Sequence, residues 1–117
     1  MGFNVEIRDK DGKAVDWKRL DREVCELWNI PENPDHWAIP PGKDSDDDWH
    51  EFLGYGVMFM RGFNEDRCVF NPTDLIRGYA IFGDMFARTD CIIKYQYEIQ
   101  MVLDWTNKGY TIKVDWY

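Results

Sequence analysis

Apolar residues change period several times along this chain, and each change marks an element. Phe3, Val5 and Ile7 alternate with polar residues, and Asp9-Lys10-Asp11-Gly12 then supplies a turn. This reads as an edge-type strand with a short return around Lys13 to Val15. Asp16 is placed to cap a helix beginning at Trp17, in which Trp17, Leu20, Val24, Leu27 and Trp28 recur at three- and four-residue steps. Pro31 ends that helix. Residues 31–43 hold Pro31, Pro34, Pro40, Pro41 and Gly42, a stiff connection outside regular structure, with Trp37 and Ile39 pinning it to the body.

Ser45 followed by Asp48 approximates a capping box with Asp in place of the usual Glu. Trp49, Phe52, Leu53, Gly56, Val57 and Met60 then fit a helical face, although Gly54 and Gly56 weaken the pattern. Asn71 as N-cap, Pro72 at the first helical position and Asp74 at the third make a sharper helix start. Leu75, Tyr79, Phe82 and Phe86 carry that stripe toward residue 88.

The last quarter admits two periods. Read as a helix, residues 91–105 put Ile93, Tyr97 and Met101 opposite Ile92, Ile99 and Val102. Read as a strand, Ile93, Tyr95, Tyr97, Ile99, Met101, Leu103 and Trp105 share one side, seven consecutive matches to period two. Lys94, Gln96, Glu98, Gln100 and Asp104 take the other side, with Val102 the one apolar intruder. Thr106-Asn107-Lys108-Gly109 suits a hairpin loop, and Tyr110, Ile112, Val114 and Trp116 form a returning face. The pattern therefore predicts a single α+β domain over residues 1–117. It combines an N-terminal strand and a long C-terminal β-hairpin in a small antiparallel sheet, covered by about three helices.

Composition supports a folded chain. At 117 residues there is material for one core, and 44% of residues are hydrophobic and 16% aromatic. Each aromatic ring can bury about 150–250 Å², enough in sum to offset ordering entropy. Some Trp and Tyr residues are candidates for a partner or self interface. The three cysteines, Cys25, Cys68 and Cys91, are widely spaced and form no CxxC pair, which reads as buried free thiols in a reducing compartment. The first residues lack a basic stretch followed by an apolar run, and Val57-Met58-Phe59-Met60 is far too short for a membrane span. A soluble cytoplasmic protein with no membrane contact is the expectation.

Charge changes the picture more. The net charge is -8, and five of those charges fall in Asp44-Ser45-Asp46-Asp47-Asp48-Trp49-His50-Glu51. The rest of the chain carries 17 acids against 14 bases. A local negative field steers a basic partner. Helix capping and solubility are the plain alternative for the same residues.

No signature of catalysis emerges. His50-Glu51 opens like HExxH, but Gly54 stands where the second histidine belongs. His36 and His50, with Asp35 or Asp48, are the residues a small metal-dependent enzyme would have to use. No histidine is placed beside a cysteine or serine, and Gly54-Tyr55-Gly56 lacks the spacing and lysine of a phosphate loop. The lysines and arginines between residues 10 and 22 are interrupted by acids, which disfavours direct nucleic-acid binding.

The leading expectation is a non-catalytic, inhibitor-type or adaptor domain without a cofactor. It would dock a basic protein surface through Asp44, Asp46, Asp47, Asp48 and Glu51, with Trp37 and Trp49 supplying aromatic contact. The alternatives are a self-assembling component that uses the aromatic hairpin as a homo-oligomer interface, and a metal-dependent enzyme around His36 and His50.

Overall fold

A computed structural model describes residues 2–83 and 89–117. The expected continuation of the 71–88 helix through Phe86 lies outside those residues. The first strand, β1 (Phe3–Arg8), turns through Asp9 into a short β2 (Ala14–Val15). The Asp9 carboxylate accepts from the Asp11 and Lys13 amides at 2.9 and 3.0 Å, which fixes that turn. Helix α1 (Trp17–Trp28) starts where expected, because the Asp16 carboxylate accepts from the Arg19 amide at 2.8 Å. It closes at Asn29 in the left-handed region, with the Ile30 amide reaching back to the Cys25 carbonyl at 3.0 Å. Its buried stripe is Leu20, Val24, Cys25 and Trp28; Leu27 faces solvent.

After the proline-rich connection come α2 (Asp47–Arg61), β3 (Val69–Phe70) and α3 (Thr73–Phe82). The box at Ser45 and Asp48 does not form. Ser45 Oγ accepts only a long bond from the Asp47 amide at 3.4 Å, and Asp48 turns toward lysines instead. Helix α3 starts one residue later than expected, with Pro72 in place of Asn71 at the N-cap and no capping bond from a side chain there, while the Asp74 carboxylate reaches back to accept from the Asn71 amide at 3.1 Å. Glycine lets α2 and α3 approach closely, since a Cβ at Gly78 would stand 2.8 Å from Phe59 Cβ.

The C-terminal quarter corrects the expectation. Residues expected as the first arm of a hairpin are instead α4 (Thr89–Lys94) and α5 (Gln96–Asn107), so the described residues form five helices, not three. Tyr95, Glu98, Met101, Val102 and Trp105 are buried at three- and four-residue spacing, while Ile93 is 61% and Leu103 50% exposed. The period-two row is thereby split, and among the described residues the expected aromatic hairpin does not form. Gly109, with φ +76°, ends α5 and does not turn a hairpin. The Tyr110 amide donates to the Trp105 carbonyl and the Gly109 amide to the Thr106 carbonyl, at 3.0 and 3.1 Å. That pair of bonds is the helix-closing motif that needs a left-handed residue.

Strand β4 (Thr111–Trp116) pairs with β1 along its whole length and with β3 at Val69 and Phe70. The sheet has four antiparallel strands in the order β2-β1-β4-β3, so the α+β class and the small antiparallel sheet stand, while the unexpected β3 lies beside β4 in the place of the hairpin arm. Ile7, Phe70, Ile112 and Val114 point to the helical side and are buried. Alternation leaves Asn4, Glu6, Arg8, Lys113 and Asp115 on a polar open face. Helix α2 packs on α3, and α5 contacts both α1 and α3. Among the described residues, no helix is long and apolar enough to cross a membrane.

Candidate functional site

The acidic stretch begins α2, and the helix separates its members by direction. Asp44 and Asp47 are exposed, and their carboxylates make no ion pair or hydrogen bond with another described residue. Asp46, Asp48 and Glu51 are engaged within the molecule. Asp46 Oδ2 accepts from the Trp37 amide at 3.0 Å and lies 3.7 Å from His50 Nε2. It therefore ties the proline-rich connection to α2. Asp48 faces Lys43 Nζ at 3.2 Å and Lys94 Nζ at 3.8 Å. Glu51 accepts from the Tyr95 hydroxyl at 2.6 Å and from Lys94 Nζ at 3.3 Å. A charge cluster read as one free patch is thus two exposed acids beside three acids with partners of their own.

The flank of α2 that bears Asp46, Trp49, His50 and Leu53 borders a cleft of about 320 Å³. Its walls are Phe3 to Val5 of β1, Trp17 of α1, Trp37 of the connection, and Trp49, His50 and Leu53. Trp37 stands edge-on to Trp17 at 5.6 Å and to Trp49 at 6.3 Å, and His50 packs against it at 5.6 Å. Such perpendicular rings are the favoured aromatic arrangement, so the walls are mutually braced. Trp49 is 2% exposed and serves as the cleft floor. Its indole N–H has no acceptor among the described residues. Trp17 was missed as a wall residue, because its helical spacing marked it only as core.

On the opposite flank the ion cluster covers a buried acid. Glu98 of α5 is 0% exposed, and neither carboxylate oxygen has a hydrogen-bond partner among the described residues. Burial pushes its pKa up to about 7; its own backbone amide opposes this, Asp48 raises it further, and Lys43 and Lys94 lower it. The sequence pattern had put Glu98 on a solvated strand face. Nearby, Phe52 stacks on Tyr79 at 4.9 Å and packs on Tyr95 at 5.3 Å, and the Tyr79 hydroxyl donates to the Phe52 carbonyl at 2.8 Å. Burial raises the pKa of both tyrosines well above the ordinary range, so they stay neutral.

No family model matches this chain, and no curated protein or solved structure is found to be similar to it. The chemistry must be read from the residues.

His36 and His50 both border Trp37, one at its carbonyl and the other at its ring. His36 Nδ1 meets the Trp37 carbonyl at 2.7 Å, and His50 faces Asp46 and the Trp37 ring. Both rings are exposed. Among the described residues, no group of three or more His, Cys, Asp or Glu side chains is placed to hold a metal ion. Cys25 is buried, with its pKa raised to about 11 chiefly by desolvation. Cys91 is half-buried, but Cys68 is exposed, contrary to the expectation of three buried thiols.

Proposed function

We propose that this domain is a protein-binding, inhibitor-type module that docks a basic protein surface and performs no catalysis. The observation that carries the reading is the indole-walled cleft of Trp17, Trp37 and Trp49 beside the exposed Asp44 and Asp47. Concave apolar sites with few polar groups are where ligands and partner side chains settle. A projecting Lys or Arg stem would bury its methylenes against the indoles and place its charge over a ring face. The exposed acids and the net charge of -8 would accelerate its approach. Trp37 supplies the wall that reaches the surface, while Asp46 holds its backbone in place.

Affinity capture from native cell extract, at low and at high salt, tests the reading. The wild-type domain is expected to retain basic proteins at low salt and release them at high salt. A Trp37→Ala/Asp44→Asn/Asp47→Asn variant is expected to lose them. An identical retained set for that variant, with its fold verified by circular dichroism, overturns the proposal.

A further inference from the structure

We infer that the partner of this cleft is an extended segment that adds a fifth strand to the sheet along Phe3–Glu6 of β1. The inference rests on the binding reading above and specifies how the same cleft is filled. Strand β2 pairs with β1 only at Ile7↔Val15 and Arg8↔Ala14. Asp16 then caps α1 and turns the chain away, so among the described residues the first half of β1 has no strand neighbour on that side. Its hydrogen-bonding direction follows from the ladder. Gly2 and Tyr117 exchange both backbone bonds at 2.8 and 2.9 Å, and such pairs alternate along antiparallel strands. Asn4 and Glu6 accordingly bond inward to Asp115 and Lys113, and Phe3 and Val5 aim their N–H and C=O groups outward. Val114, opposite Val5, confirms the phase: its amide donates away from β1, to the Cys68 carbonyl at 2.8 Å. Among the described residues, nothing hydrogen-bonds to the outward backbone groups of Phe3 and Val5.

Open edges are usually blunted by charged side chains, proline, a bulge or a covering loop; Phe3-Asn4-Val5-Glu6 has no lysine or proline and keeps an unbroken register with β4, with Glu6 its one charge. Here the edge forms one wall of the aromatic cleft. An added strand would send alternate side chains down beside Phe3 and Val5 toward Trp17, Trp37 and Leu53, and the intervening ones to the polar face. Main-chain bonds would give affinity and the cleft would select apolar residues at every second position. Charge decides between occupants. A second copy of this chain brings its own -8 to the same edge, whereas a segment with Lys or Arg between its apolar positions is attracted.

The test uses a library of fluorescein-labelled nine-residue peptides that alternate apolar residues with Lys, Arg or Thr, read by anisotropy. Saturable binding is expected, and N-methylation of the edge-facing amides of the tightest peptide should weaken it by about thirtyfold, the loss of two net hydrogen bonds. In the bound protein, hydrogen exchange at the Phe3 and Val5 amides should slow by at least about tenfold, with Asn4 and Glu6, already bonded to β4, little changed. Val5→Pro, which removes an outward donor, should lose binding, while Val5→Ala retains most of it. Binding that survives N-methylation and perturbs only indole signals overturns strand addition and leaves side-chain docking intact. Protected Phe3 and Val5 amides in a free dimer by sedimentation overturn it in favour of a second copy. If no peptide binds saturably, strand addition fails, and the extract capture alone decides the broader reading.

Discussion

The two flanks of α2 use the same residue types to opposite ends. On one flank Asp48 and Glu51 meet Lys43, Lys94 and the Tyr95 hydroxyl, above Phe52 and the buried Glu98. On the other, Asp46 is spent on a backbone amide, and Trp37, Trp49 and Leu53 border open space with the unpaired edge of β1. Sequence proximity of five acids therefore says little about the field they project. Helical rotation and the positions of two lysines decide which of them remain available to a partner.

The sharpest way to separate the flanks is truncation of adjacent residues. Phe52→Ala is expected to cost about 3–5 kcal/mol and Leu53→Ala about 1 kcal/mol, read from urea unfolding. Equal losses would mean that the cleft side is packed as tightly as the closed side.

Glu98 comes next. Its folded pKa of about 7 lies above the unfolded value near 4.5, so the native state holds the proton more tightly. Below the unfolded value this group is neutral in both states and costs nothing. As pH rises from about 4.5 to about 7 the unfolded chain ionises first and stability falls, reaching a deficit of about 3 kcal/mol above that range. Glu98→Gln should recover a gain of that order at pH 8, shrinking to nothing near pH 4.5. A pH-independent effect of the substitution would show that the carboxyl finds compensation when charged.

Smaller effects distinguish the surface acids. Asp46→Ala should cost about 1–2 kcal/mol and change tryptophan emission, because the Trp37 amide loses its acceptor. Lys94→Met should cost no more than about 1 kcal/mol, since its pairs with Asp48 and Glu51 are partly exposed. Last, Asp44→Asn with Asp47→Asn should leave stability within about 0.5 kcal/mol, while slowing association with a basic partner a few-fold in stopped-flow.

How far residues alone reveal this molecule depends on the range over which each signal acts. The caps at Asp16 and Asn71-Pro72-Thr73-Asp74 are local: a side chain and a backbone amide three residues apart decide them. The start of β1, its turn and β2 are local in the same sense. The 91–107 segment is not. Its alternating aromatic and β-branched residues satisfy period two, and the competing helical face is visible only if Glu98 counts as an inward position alongside Tyr95, Val102 and Trp105. A charged residue with no bonding partner gives no reason to count it so. Gly109 fits both a hairpin loop and a helix terminus, and tertiary burial of α5 settled the choice. The cleft was legible only as Trp37 and Trp49. Its other walls come from β1 and α1, brought together by the pairing of β1 with β4 across more than a hundred residues.

That pairing sets an order of events during synthesis. Strand β4, which completes the middle of the sheet, emerges from the ribosome after α1 to α5, so β1 waits with its β4 margin bare, paired only with β2, while the intervening chain collapses. Distant contacts of this kind slow folding and prolong the exposure of unmatched backbone. Arrival of β4 silences that margin of β1, and on the other, beyond the reach of β2, Phe3–Glu6 stays without a strand partner among the described residues.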